Sequence, residues 1–268
     1  MRLLEIVDLK VYYFGVEGVV KAVDGVSMEV KSGGSIGVLG ESGCGKSTLG
    51  LSILGLIPES GKVIDGKVLF EGRDLLRMNP DEVRSMRGSR ISMVFQQPVT
   101  SLNPVLTVGD QIAEALVAHK SLPTKKALER AIELMEVVGI PDPPQRAKQY
   151  PHQLSGGMQQ RVVIAMASAC NPSLLIADEP TSALDVTVQA QILTLMKKMK
   201  EEFNLSLLLI SHNLGVLVEL CNEIAVMYAG QIVEIGPTSI ILRQPAHPYT
   251  KALMCSTINL SSLRKRLN

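Results

Sequence analysis

Gly40-Glu41-Ser42-Gly43-Cys44-Gly45-Lys46-Ser47-Thr48 follows the apolar stretch Ser35-Ile36-Gly37-Val38-Leu39 and opens a helix-like segment running to about Leu56. Strand, glycine-rich turn and helix start together make the pattern GxxxxGK[ST]. Each residue type has a physical task there. Glycines let the backbone bend so that successive N–H groups point inward, a concavity suited to phosphate oxygens. A helix beginning near Lys46 adds its positive dipole end. The Lys46 ammonium can reach a terminal phosphate, and the Ser47 hydroxyl can ligate Mg²⁺. A surface glycine turn with a stray lysine is the plain alternative, and the flanking strand and helix argue against it.

Composition limits the rest. The 268 residues hold Lys+Arg 27 against Asp+Glu 26, a net charge of +1. Proteins that bind nucleic acid by neutralising phosphates carry a basic surplus, so no nucleic-acid partner is expected. A hydrophobic share of 46% with 20% charged residues fits a sizeable core rather than disorder. No stretch reaches the roughly 18 apolar residues that span a bilayer. Met1-Arg2-Leu3-Leu4-Glu5 meets an acid at once and does not read as a secretory signal. Cys44, Cys170, Cys221 and Cys255 form no CxxC pair, which suits a reducing compartment. A soluble intracellular protein is the expectation from these features.

Short strands are expected at Leu3–Ile6, Lys10–Tyr13, Val26–Val30 and Lys67–Phe70, bounded by glycine turns. From about Asn79 to Lys200 the pattern turns helical. Asn79-Pro80-Asp81-Glu82 and Thr107-Val108-Gly109-Asp110 read as helix starts. After Thr124, Leu128, Ala131, Ile132, Met135 and Val138 recur at helical spacing, and Gly139 ends the run. Pro141, Pro143 and Pro144 read as a loop. Leu174–Ala177 leads to a helix over roughly Thr187–Phe203, and Leu207–Ile210 to one near Leu214–Cys221. Ile224–Tyr228, Ala229-Gly230 and Gln231–Ile235 read as a hairpin with a two-residue turn. Strands alternating with helices imply an α/β protein with a parallel sheet. The charged Arg264-Lys265-Arg266 near the end reads as a solvated tail.

Two further stretches carry chemistry. Leu174-Leu175-Ile176-Ala177-Asp178-Glu179 is an apolar strand ending in two acids. Beside a phosphate loop, Asp178 is the candidate to hold Mg²⁺, and Glu179 the candidate to orient and activate an attacking water. Leu154-Ser155-Gly156-Gly157-Met158 opens a second helix with a hydroxyl and exposed backbone N–H groups, again suited to a phosphate. One nucleotide needs one cradle, and this chain has two. Head-to-tail pairing of two subunits, each lending its second cradle to the other's nucleotide, is one solution.

Taken together, the Gly40–Thr48, Leu154–Gln159 and Leu174–Leu184 segments resemble the ATPase subunit of an ATP-binding cassette (ABC) transporter, over essentially the whole chain. The resemblance implies a P-loop NTPase: a RecA-like core with an antiparallel β-subdomain and an inserted α-helical subdomain. It implies one domain over 1–268, with core and β-subdomain at 1–96 and 160–240, helical insert at 97–159 and a C-terminal extension at 241–268. ATP and Mg²⁺ are the implied substrate and cofactor. Gly40, Glu41, Ser42, Gly43, Cys44, Gly45, Lys46, Ser47 and Thr48 would cradle phosphates, with Ser155, Gly156 and Gly157 of a second subunit opposite. Ser47, Gln96 and Asp178 would attend the metal. Glu179, His212, Gln96 and Lys46 would serve catalysis, His212 as the switch histidine and Gln96 as the glutamine that senses the membrane partner. Tyr13 would stack on adenine, with Tyr12 a near rival. Ser182-Ala183-Leu184-Asp185 resembles the loop that crosses to the partner subunit.

Phe95-Gln96-Gln97-Pro98-Val99-Thr100-Ser101-Leu102-Asn103-Pro104 and His247-Pro248-Tyr249-Thr250-Lys251-Ala252-Leu253 are similar to the oligopeptide/dipeptide/nickel import branch. That branch implies two transmembrane permease subunits, an extracytoplasmic solute-binding protein and a second ATPase, a paralogue more readily than a second copy. Its members act peripherally at the cytoplasmic face of the cell membrane. Gln97 and Asn213 depart from the branch's usual residues. A longer tail with clustered cysteines has no counterpart here, so no iron–sulfur cluster is expected. A soluble ABC ATPase uncoupled from transport is the first alternative, and a non-hydrolysing nucleotide-binding regulator the second.

Overall fold

The computed structural model describes residues 1–16, 18–182 and 184–255. The chain divides into two compact units, Met1–Met78 with Leu208–Asn268, and Asn79–Leu207.

The first unit begins with β1 (Arg2–Gly15), β2 (Gly18–Lys31), β3 (Ser35–Leu39), α1 (Lys46–Leu54), β4 (Gly61–Phe70) and β5 (Arg73–Asp74). An antiparallel sheet runs in the order β2-β1-β4-β5. The two strands expected at Leu3–Ile6 and Lys10–Tyr13 are one strand, β1. Its pairing with β2 shifts register between Ile6 and Leu9, where Asp8 takes a positive φ of 46° and donates its N–H to Ser27 Oγ at 2.9 Å. A bulge thus carries the strand through a stretch whose alternation breaks in the sequence. All five residues of β3 are buried, as a strand covered on both faces requires. At the end of α1, Gly55 turns left-handed (φ 61°) and donates to Leu51 and Ser52 carbonyls, the glycine stop of a helix.

The second unit holds α2 (Pro80–Met86), β6 (Ile91–Val94), α3 (Pro98–Ser101), α4 (Val108–Lys120), α5 (Thr124–Val137), α6 (Pro143–Arg146), α7 (Gly156–Ser168), β7 (Leu174–Asp178) and α8 (Val186–Glu202). Both expected starts are present. Asn79 accepts from the Asp81 N–H at 3.1 Å while Glu82 accepts from the Asn79 N–H at 3.4 Å. Thr107 accepts from the Asp110 N–H at 3.3 Å. Of the face expected for α5, Ala131, Met135 and Val138 are buried, Ile132 is half-buried and Leu128 is not part of it. Ala127, Ala131, Leu134 and Met135 are buried, whereas Leu128 is exposed. The stripe thus keeps Ala131 and Met135 and takes Ala127 and Leu134 in place of Leu128 and Ile132. Within the proline loop, Pro143–Arg146 forms the short helix α6, since proline is tolerated in a first helical turn. β6 and β7 pair in parallel, Val94 opposite Ala177.

β8 (Ser206–Ser211) begins at the boundary, and the first unit resumes with α9 (Leu214–Leu220), β9 (Glu223–Tyr228), β10 (Gln231–Pro237) and α10 (Thr238–Arg243). Residues 248–255 are helical. Here β10, β9, β3 and β8 are neighbours in that order, with β3 and β9 parallel. The hairpin turn has φ 45° at Ala229 and 83° at Gly230, the two positive values of a type I′ turn. No described helix is long and apolar enough to cross a membrane. Of the readings above, Ala183 of the crossing loop and the tail after residue 255 lie outside the described residues.

Candidate nucleotide site

The phosphate loop joins β3 to α1. Gly45 stands before α1 with φ 108°, and α1 has neither a side-chain cap nor an acid in its first turn. Its leading N–H groups and dipole therefore meet no capping side chain at Gly45 and no acid within the first turn. A side chain at Gly45 would put a Cβ 1.8 Å from the Ala22 carbonyl oxygen, and one at Gly40 would lie 2.4 Å from the Met227 carbonyl oxygen. Gly43 has φ 81° and open space around it. The loop is thus pressed against β2 and β9 at its ends and open at its crest.

Lys46 is buried at 5% exposure. Its ammonium donates to the Gly40 carbonyl at 2.9 Å and the Glu41 carbonyl at 2.7 Å. These bonds hold a buried cation inside the loop. Burial pushes the Cys44 thiol up, and the Lys46 charge opposes it. Ser47 is exposed at the helix start. Cys44 accepts from the Gly230 N–H at 3.0 Å, which ties the loop to the β9–β10 turn.

The two tyrosines separate. The Tyr13 hydroxyl lies 3.3 Å from Thr48 Oγ1, at the end of the phosphate loop. Tyr12 points to the other face of β1, where it donates to Asp24 at 2.6 Å and carries Lys21 5.4 Å over its ring. Tyr13 also lines a cleft with Phe14, Val19 and Ser60.

In the second unit, β6 and β7 end side by side. Gln96 donates from Nε2 to Glu179 Oε2 at 3.0 Å. Asp178, the last residue of β7, is 5% exposed. Glu179 has φ 47°, a left-handed conformation that an L side chain adopts only when its surroundings impose it. Ser182 donates from both N–H and Oγ to the Glu179 carbonyl at 3.2 Å and so closes the turn. Asp185 caps α8 through the Val188 N–H at 2.9 Å.

Ser155 caps α7 with its hydroxyl 3.4 Å from the Met158 N–H, and Gly156 faces open space. A Cβ on Gly157 would meet Val188 at 2.7 Å, so this glycine is required by packing against α8. Sequence reasoning missed Gln159, whose buried Nε2 donates to Pro151 at 2.8 Å and to Leu154 at 3.2 Å. It clamps the chain leading into Ser155. Its signal was a polar residue on the inward face of the helix. His212 is exposed after β8, one residue before Asn213, which caps α9 through the Gly215 N–H at 3.0 Å. Asn213, one of the departures noted above, thus serves as the cap of α9.

A strand, an uncapped glycine loop with its buried lysine, and a helix define the class: this is a P-loop NTPase of α/β fold. A solved dimeric cassette, MJ0796 in a post-hydrolysis state bound to ADP and Pi, matches it with TM-score 0.79 and 29% identity, covering 88% of this chain and 98% of that one. The ABC transporter family model matches residues 23–182, and residues 233–268 match the oligopeptide/dipeptide transporter C-terminal region. The dipeptide transport ATP-binding protein DppD of Bacillus subtilis is 51% identical over 260 residues, 97% of this chain and 78% of the relative. DppD of Escherichia coli is 48% identical over 267 residues, 100% of this chain and 82% of the relative. The chain belongs to the ABC transporter family, and within it is an ATP-binding, ATP-hydrolysing transport subunit.

Proposed function

We propose that the chain powers a peptide importer as one half of a head-to-tail ATPase pair, each ATP lying between Gly40–Thr48 of one subunit and Ser155–Gly157 of the other. The observation that carries the phosphate site is the uncapped start of α1 with Lys46 buried inside the loop. Gly40, Glu41, Ser42, Gly43, Cys44 and Gly45 offer backbone N–H groups to the phosphates, and Lys46 stabilises charge spreading onto the γ-phosphoryl oxygens. Tyr13, beside Thr48, is the adenine platform.

Glu179 polarises the attacking water, and Gln96 holds that carboxylate in place. His212 hydrogen-bonds the γ-phosphate. Among the described residues no cluster of three His, Cys, Asp or Glu could hold a metal alone. Mg²⁺ would be held by Ser47, Gln96 and Asp178 together with phosphate oxygens, and would supply neutralisation of phosphate charge. Closure of the pair excludes water and completes the site.

The domain reading follows: one ABC ATPase domain, with 97–159 as the helical insert and 241–268 as an extension. Peptides as cargo rest on the relatives' names and on the match of residues 233–268. As the resemblance to peptide-transport ATPases suggests, the ATPase works peripherally on two permease subunits at the cytoplasmic face, fed by an extracytoplasmic solute-binding protein. A paralogous second ATPase is preferred to a second copy. The test is reconstitution in liposomes with the neighbouring permeases and binding protein. ATP-dependent dipeptide uptake, lost in Glu179→Gln, supports the proposal. Recovery of the native chain with no permease would defeat it.

A further inference from the structure

The string His247-Pro248-Tyr249-Thr250 marks the branch, yet nothing in the catalytic reading uses it. In the fold it is anchored firmly. Glu234 on β10 accepts from the Ala246 N–H at 2.7 Å and the His247 N–H at 3.0 Å. His247 Nδ1 accepts from the Tyr249 N–H at 3.2 Å, which fixes where the next helical turn starts. Tyr249 then packs on Tyr228, ring centroids 4.4 Å apart and planes tilted by 42°.

Tyr228 lies in the stretch that already grips the phosphate loop. The preceding Met227 presents its carbonyl against Gly40, and Gly230, two residues on, donates to the Cys44 carbonyl at 3.0 Å. The Tyr249 hydroxyl is buried with no hydrogen bond of ordinary geometry. Burial first, then the charge of Glu41, raises its phenol above the ordinary value, while the Glu41 backbone N–H acts in the opposite sense. The ring is thus joined through Tyr228 to the stretch that holds Gly40 and Cys44.

We propose that Tyr249 is a positioning residue for the phosphate loop: pinned through Glu234 and His247, its ring braces Tyr228 and, through the Met227–Gly230 stretch, the Gly40 and Cys44 backbone, and so presets the cradle for ATP. The inference rests on the reading of Gly40–Thr48 as the triphosphate site. A ring that braces without bonding predicts a specific pattern. Tyr249→Phe keeps the ring and loses only an unsatisfied hydroxyl, so it behaves like wild type. Tyr249→Ala loosens the loop before ATP binds, and loop ordering then has to be supplied on binding.

The experiment is Mg-ATP binding and steady-state hydrolysis by the purified full chain, with thermal melting as a folding control. Expected are a KM for ATP raised about tenfold in Tyr249→Ala with kcat within about twofold, and Tyr249→Phe within about twofold in both. Glu234→Ala raises KM in the same direction, and the double variant is no worse than the worse single one, because both act through one strap. If Tyr249→Ala does not fold, Tyr249→Leu and Glu234→Ala carry the same comparison. Unchanged KM in the folded ring-deleting variants, or additive effects in the double variant, overturns the proposal. Wild-type chain that binds no Mg-ATP ends the underlying reading as well, so the two failures are distinct.

Discussion

Gln96 Nε2 donates to Glu179 Oε2 at 3.0 Å across 83 residues of sequence. The parallel register explains the meeting. Val94 sits opposite Ala177, so the residues two positions beyond each, past the strand ends, are neighbours. A side-chain amide is thereby bonded to the carboxylate proposed to act on water, and the left-handed backbone of Glu179 aims it.

Replacing Glu179 by Gln keeps a hydrogen-bonding partner for Gln96 and removes the base. The expected result is ATP binding near wild type with kcat lower by about 100-fold or more. ATP-dependent dimerisation persists, because closure no longer ends in hydrolysis. Phosphate release and size-exclusion chromatography with ATP check both.

Gln96→Ala leaves Glu179 in place without that bond. A drop in kcat of about tenfold is expected, smaller than for Glu179→Gln. In a double-mutant cycle Gln96→Ala costs almost nothing once Glu179 is Gln, since the two act together. Equal losses in both backgrounds would show that Gln96 works elsewhere.

The loop glycines are not equivalent. Gly43→Ala meets open space and pays only for its positive φ, about 1 kcal/mol. Gly45→Ala adds a Cβ 1.8 Å from the Ala22 carbonyl oxygen at φ 108°. Backbone must move, and a loss of about 4 kcal/mol or failure to fold is expected. Denaturant unfolding ranks the two.

Glu234 gives a pH signature. Burial alone would raise its carboxyl, but the Ala246 N–H, Thr250 hydroxyl and His247 together hold it below the ordinary value of 4.5. A depressed folded value means that its stabilisation is present above about 4.5 and is lost as pH falls through the lower, folded value. Melting of wild type and Glu234→Gln across the acid range should therefore show a gap at neutral pH that closes on acidification.

Thiol labelling reads burial directly. Cys44, Cys170 and Cys221 are buried and Cys255 is exposed, and burial raises the Cys44 and Cys170 thiols. One fast-reacting thiol is expected in the folded chain, and a Cys255→Ser variant should lack it.

Much of the site was legible because its chemistry is local in sequence. Gly40–Thr48 needs consecutive residues to bend one loop, Ser155–Gly157 to begin one helix, and Ala229-Gly230 to make one turn, so residue types alone identified all three. Asn79 and Thr107 were readable as caps for the same reason. Other features depended on partners distant along the chain. Only packing decided that α5 buries Ala127 rather than Leu128, that Tyr13 rather than Tyr12 faces Thr48, and that Gln96 touches Glu179. The same holds for Gln159 under Ser155 and for Tyr249 against Tyr228. A sequence prescribes backbone conformations over a few residues, through hydrogen bonds and sterics that act along the chain. Which distant side chains meet is set by strand register and helix rotation, and those are fixed only when the whole core closes.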